Sequence, residues 1–291
     1  MYILSNRLKI FSISLIIIGS LGWFYSYSTS HLTLDQVKEL LAEESHHGSH
    51  SDTAHSMENS NEKHHNADIH HEGDHNGHSE DAHGHEDEHA EHVLHQIHNR
   101  PYAALYVAAF FFMMISLGVL AFYAIQYASQ AGWSPVLFRV MEAITYYLLP
   151  GALFVLIIAY VGDKHIFIWM DPEVVAHDEI IQGKEGWLNK TSFLIRALIY
   201  IGRWSLYRYF SRKFSIAQDQ ANDNKNFKRN FQISAGFLVF FMYTESMMSW
   251  DWIMSVDPHW FSTLFGWYVF ASMAVSGITV IALITIYLKS K

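Results

Sequence analysis

Residues 102–125 form an unbroken apolar run without one charged side chain. At about 1.5 Å of rise per residue such a run is long enough to cross the hydrocarbon core of a bilayer. In lipid a segment must satisfy its own backbone N–H and C=O groups, which restricts it to helix. Further span candidates occupy 140–161, 192–210, 231–250 and 260–287, of which 192–210 is more polar because of Arg196, Arg203 and Arg208, and FSISLIIIGSLGWFYSY follows Lys9. The predicted fold class is therefore all-α, a polytopic membrane helical bundle of about six transmembrane helices. Residues 1–30 form an N-terminal anchor, 31–100 an outer loop and 101–291 the bundle domain. Trp23-Phe24-Tyr25 reads as an interfacial anchor, which favours a retained helix over a cleaved signal peptide. Pro150-Gly151 predicts a kink in the second span of the bundle.

Composition averages conceal this organisation. Mean hydropathy is only +0.07, because residues 31–100 hold 16 acidic side chains against Lys38, Lys63 and Arg100, a net charge of −13. The remainder is mildly basic, and its Lys and Arg residues gather on one side of an alternating six-span topology. That places the N-terminus on the cytoplasmic side of the membrane and the acidic loop outside. The chain has no cysteine, which excludes disulfides, thiolate metal sites, Cys-ligated iron–sulfur clusters and CxxCH haem attachment within it.

Within the loop, Thr33 and Gln36 have capping-box spacing ahead of a short amphipathic helix over LTLDQVKELLAEE. Residues 46–98 then hold 16 of the 20 histidines in a polar, low-complexity setting whose default is disorder. His85, His89, His92, His95 and His98 recur at helical spacing and form a weak metal candidate. A solvated, buffering tether explains the same composition. Its 17 histidines between 31 and 100 would turn −13 into a positive charge on full protonation, around the ordinary imidazole value of about 6.5.

Charge at membrane depth is expensive and usually faces a bundle interior. Glu142 and Glu245 fall at opposite depths, with Arg196 about level with Glu245 and Arg203 able to approach the level of Glu142. With Tyr243, and with Asp251, Asp257 and His259 at the outer edge, they are candidates for a proton path. Buried ion pairing that only fixes packing is the competing explanation. The hairpin SWDWIMSVDPHWFSTLFGWY adds Trp250, Trp252 and Trp260 as candidate partner-docking residues, although a lipid-facing aromatic belt would use the same rings.

The segments MEAITYYLLPGALF, KTSFLIRALIYIGRWSLYRYFSRKFSIAQD and ESMMSWDWIMSVDPHWFSTLFGWYVFA resemble the F subunit of alternative complex III, a bacterial quinol:cytochrome c oxidoreductase. The opening of the chain and its His/Glu-rich loop are similar to the Bacteroidetes version. The resemblance implies a subunit of the polysulfide-reductase (NrfD-like) superfamily without its own redox cofactor, acting in proton conduction or as a scaffold. It implies as partners a sister NrfD-like membrane subunit, a periplasmic iron–sulfur protein, and multihaem and monohaem cytochromes c. Haem c and iron–sulfur clusters would sit in those partners, with quinol as the substrate of the complex. The family has more spans than are found here, which implies a C-terminally truncated chain. Two alternatives stand beside it: a structural or assembly protein of a cytochrome complex, and a divalent-metal transporter or sensor using the His-rich loop. Against the transporter, His165, His177 and His259 all fall in outer loops, where they cannot serve an ion at membrane depth.

Overall fold

A computed structural model describes residues 6–48 and 80–290. The chain divides into two compact units, Met1–Pro101 and Tyr102–Lys291. No strand occurs among the described residues.

In the first unit, α1 (Asn6–Thr29) has no residue buried against the rest of the chain. Its rings stack on one another near its end: Trp23 and Tyr27 lie 5.5 Å apart, and the Trp23 indole donates to the Pro101 carbonyl at 3.0 Å. Helix α2 (Leu34–Gly48) starts where the capping spacing places it. The Gln36 side chain accepts from the Thr33 backbone N–H at 3.0 Å, and Val37 is wholly buried. Helix α3 (Glu80–Ala128) begins inside the His-rich segment and continues through Pro101. The sequence suggests disorder from His46 to His98 and a new element after Pro101; residues 46–48 and 80–98 are instead helical and the helix runs on through Pro101, while residues 49–79 lie outside the described residues. Leu94, Ile97 and the strong helix formers around them propagate a helix backwards from the apolar run, and the single donor lost at Pro101 does not stop it.

The second unit is a bundle. After α3 comes a 3-10 turn at Ser134–Leu137, then α4 (Phe138–Ile144) and α5 (Leu148–Val161), separated by a 3-10 stretch at Thr145–Tyr147. The expected break is thus real but lies just before Pro150. Pro150 occupies the first turn of α5, where a missing N–H costs no intrahelical bond. A Cβ on Gly151 would sit 2.6 Å from the Tyr147 ring, so a larger residue there would have to displace that ring. Three short helices, α6 (Asp163–Ile166), α7 (Pro172–His177) and α8 (Glu179–Gly183), build the loop that leads to the long pair α9 (Lys190–Asp219) and α10 (Lys225–Trp252). A 3-10 turn at Met254–Val256 and the Asp257-Pro258 turn lead into α11 (Phe265–Lys289).

The core is aromatic and lies between α3, α5, α9 and α10, with Trp204, Trp252, Phe167 and Phe241 fully buried. Helix α11 closes on α3 through two glycines. A Cβ on Gly118 would lie 2.4 Å from the Met273 carbonyl oxygen, and one on Gly277 would lie 3.1 Å from the Val119 nitrogen. Small residues let membrane helices approach this closely.

Among the described residues, four helical stretches are long and apolar enough to cross a membrane: Asn6–Thr29, His89–Ala128, Ser134–Val161 and Phe265–Lys289. Helices α9 and α10 are long, 30 and 28 residues, but too polar to meet the same measure.

Candidate functional site

The polar character of α9 and α10 is concentrated where they face each other. On α9 the inward stripe runs Arg196, Tyr200, Trp204, Tyr207, Ser211 and Ser215, and α10 answers with Asn230, Ser234, Thr244 and Asp251. Spacings of three and four on α9, and of four, ten and seven on α10, place each set on one helical face. From Arg196 to Ser215 the stripe covers roughly 28 Å, about the thickness of a bilayer's hydrocarbon core.

At one end Asp251 is wholly buried and accepts four hydrogen bonds. Arg196 grips it in a fork, Nε to Oδ2 at 2.7 Å and Nη2 to Oδ1 at 2.9 Å, while the Trp187 indole donates to Oδ1 at 2.8 Å and the Tyr200 hydroxyl to Oδ2 at 3.2 Å. The guanidinium also lies over the Trp187 ring, 4.2 Å from its centre. Bidentate charge-assisted bonds of this kind are the strong ones, and here they satisfy the carboxylate in full.

Moving along the seam, the Trp204 indole donates to Thr244 Oγ1 at 3.2 Å, and Tyr207 and Ser234 share a hydrogen bond of 2.7 Å. The Ser211 hydroxyl donates to Asn230 Oδ1 at 2.6 Å, and the Ser211 backbone carbonyl accepts from the Asn230 amide at 3.1 Å. Between these polar rungs sit Phe237, stacked 4.0 Å from Tyr207, and Phe241. At the other end Glu142, also buried, accepts from the Tyr123 hydroxyl at 3.0 Å and from Arg139 Nη1 at 2.6 Å. Arg139 continues the chain to Asp219 and to the Ser215 carbonyl. Arg139 and Asp219 are exposed, so this end opens to the surroundings.

Several sequence expectations are corrected by this geometry. Arg196 pairs with Asp251 and not with Glu245. Thr244, Met248 and Asp251 recur at heptad spacing on the α9-facing stripe, whereas Glu245 is turned about 100° from Thr244. Glu245 is buried, and its Oε1 has no hydrogen-bond partner. Arg203, one residue before Trp204, is rotated away too; it lies over the Phe240 ring, 5.0 Å from its centre, and Glu142 takes Arg139 instead. Tyr243 is exposed on the far side of α10. Trp252 cannot dock a partner, because it is 0% exposed among Phe110, Tyr200 and Trp204, and its carbonyl accepts from the Tyr106 hydroxyl at 2.8 Å. Trp260 is exposed and Trp250 half-buried, so those two stay at the surface.

Asp257 and His259 lie in the loop beyond the seam. Asp257 accepts from the His259 backbone N–H at 3.1 Å, and the His259 ring meets Asp178 across 2.6 Å. Asp178 caps α8, where the backbone N–H of Ile181 holds its carboxyl below the ordinary value; slight burial opposes this and His259 reinforces it. Of the histidine candidates, the side chains of His85 and His92 lie outside the described residues. His95 Nδ1 is 3.0 Å from the Asn99 amide, and His98 lies 6.2 Å from the His31 ring. No group of three His, Asp or Glu residues suited to a metal ion occurs among the described residues.

Trp187, Tyr200, Tyr123, Arg139 and Asn230 were not among the sequence candidates. The missed signal is the three-and-four spacing of polar residues along α9, which marks the face a second helix must satisfy. Neither protein-family models nor curated protein sequences match the chain.

Proposed function

We propose that the chain is an integral, six-span subunit of a respiratory quinol:electron-acceptor oxidoreductase in a bacterial inner membrane. It holds no redox cofactor of its own, and the α9–α10 seam relays protons across its part of the complex. The observation that carries the proposal is the seam itself. Glu142 and Asp251 stand at its two ends, hydroxyls and an amide bridge much of the distance, and Glu245 beside it is a buried carboxyl whose Oε1 has no hydrogen-bond partner. Buried carboxyls within hydrogen-bond reach of hydroxyls are the groups that proton relays use. The sequence resemblance of the Trp/Asp hairpin supplies the complex and its partners: a sister membrane subunit, an iron–sulfur protein and cytochromes c.

A scaffold reading is favoured by one specific feature. Phe237 and Phe241 interrupt the hydrogen-bonded rungs, and the Asp251 pair is so fully satisfied that it would hold two helices together without moving a proton.

The test uses the complex in proteoliposomes, following quinol oxidation and proton release together. Combining Glu142→Gln with Glu245→Gln should leave the subunits assembled and slow proton transfer on the order of a hundredfold. Unchanged proton release per quinol would sink the relay and leave the scaffold.

A further inference from the structure

Arg208 stands on α9 beside the inward stripe, directly after Tyr207, and within the span expected over 192–210. Its Nε and Nη2 are buried and have no hydrogen-bond partner. The guanidinium lies over the Tyr146 ring, 4.9 Å from its centre, a contact that answers the charge with a π face and leaves those two donors unmet. A buried donor without an acceptor is costly, and more so on a charged group at membrane depth. Of the titratable groups that act on Arg208, which are Arg212, Tyr146 and Glu142, only Glu142 carries a carboxylate. Tyr146 follows Glu142 by four residues, so the guanidinium on its ring stands about one helical turn from that carboxylate.

Glu142 has room for a second cation. Oε1 accepts from Tyr123 and Oε2 from Arg139, whereas the two oxygens of a carboxylate can take about four bonds. On α3 it is met by Tyr123 and Tyr127, phenols that bring no positive charge. The two arginines lie on opposite sides of it. Arg139 is 45% exposed and tied to Asp219 and the Ser215 carbonyl at the open end of the seam. Arg208 comes seven residues before Ser215 on α9, about 10 Å deeper along the helix. We propose that Arg208 is a positioning residue for Glu142, whose carboxylate has two cationic stations, Arg139 at the mouth and Arg208 inside the bundle, and passes between them. The 3-10 stretch Thr145–Tyr147 separates the carboxylate from the ring that carries Arg208, and stretches of this kind mark hinges within helices. A carboxyl confined to Arg139 faces the surroundings alone; one that reaches Arg208 comes beside Tyr207, the next hydroxyl of the seam. The purpose of the exchange rests on the relay proposed above, while the exchange itself requires no proton transfer.

Two measurements test it. In a cryo-electron-microscopy structure of the full chain carrying Arg139→Met, the Glu142 carboxylate should accept from Arg208 Nε or Nη2; finding it on Tyr123 alone, with Arg208 still over Tyr146, overturns the second station. In reversible unfolding of the full chain in mixed micelles, each arginine should cover for the other. Arg139→Met combined with Arg208→Met should therefore raise the unfolding constant at least about tenfold more than the product of the single changes. With Glu142→Gln as the background the excess should vanish, because no carboxylate is left to strand. Simple multiplication with Glu142 in place, or an equal excess with Gln at 142, overturns the pairing, and if the double variant does not fold the structure of Arg139→Met decides. Proton release is no part of either readout, so both stations observed alongside unchanged proton release in the Glu142→Gln complex would refute the relay and leave the exchange standing.

Discussion

Removing the charge of Asp251 should be among the most damaging single changes in the bundle. The carboxylate is 0% exposed and its Arg196 partner only 13% exposed, so the figures for solvent-screened surface pairs do not apply. Breaking a buried pair leaves an uncompensated charge and typically costs about 3–5 kcal/mol. Asp251→Asn keeps one acceptor oxygen, so the Trp187 or Tyr200 bond can survive while the fork from Arg196 is lost. Its cost should sit near the lower end of that range, about 3 kcal/mol. Arg196→Met leaves the opposite charge stranded and should cost at least as much. Joining the two removes both charges, so the double variant should recover a coupling energy of about 2 kcal/mol or more. The assay is reversible unfolding in mixed micelles, run as a double-mutant cycle on the full chain. The same cycle with Glu245→Gln in place of Asp251→Asn should give coupling within about 0.5 kcal/mol of zero, because Glu245 does not touch Arg196. A large Arg196–Glu245 coupling together with a negligible Arg196–Asp251 coupling would refute the pairing and with it the register of α9 on α10.

Trp252→Ala should destabilise the bundle by about 3–5 kcal/mol, since the ring is wholly buried, whereas Trp260→Ala should stay within about 1 kcal/mol; the same unfolding assay compares them. Gly118→Val should cost at least about 1–3 kcal/mol by pushing the Met273 carbonyl, and α11 with it, away from α3, while Gly22→Ala on α1, with nothing within 4 Å of the added carbon, should be neutral or mildly stabilising. The Asp178 carboxyl is held below its ordinary value of 3.8, so its contribution to the α8 cap and the His259 contact is complete above that value and lost as the pH falls through the lowered one. Hydrogen-exchange protection of Ile180 and Ile181 should therefore hold from pH 7 down to about 4 and fall only below it, while Asp178→Asn should lower it above that pH and remove the fall.

The helical class was legible because apolar runs of bilayer length permit little else, and the α2 cap because Thr33 and Gln36 carry a local signal. Boundaries set by proline were read less well. Pro101 looks like a stop, but the helix behind it is long enough to bear one missing bond; Pro150 looks like a kink, yet the irregular turn falls ahead of it so that proline can stand in a first turn. Depth alone misplaced the charges. Counting residues from the ends of the spans put Glu245 level with Arg196, but pairing also depends on rotation about the helix axis, and one residue of rotation separates Glu245 from the stripe that holds Asp251. Trp252 was misjudged for a related reason: a belt of tryptophans near a membrane edge looks uniform in sequence, while the direction each ring takes is fixed by its neighbours on other helices.

The loop between α9 and α10 spans only residues 220–224. Each helix judged separately carries arginines, hydroxyls or carboxylates that would oppose its entry into lipid, with a central arginine alone costing about 2.5–3.5 kcal/mol on insertion scales. Folded on each other, the two hide Asp251, Asn230, Ser211 and Ser234 in a shared interior and turn Phe210, Val239 and Met242 outward. On the six-span reading proposed above, the object presented to the translocation machinery is a hairpin and not a sequence of solitary segments. Its partition into lipid would then be a property of the pair, which a hydropathy scan that meets one helix at a time does not measure.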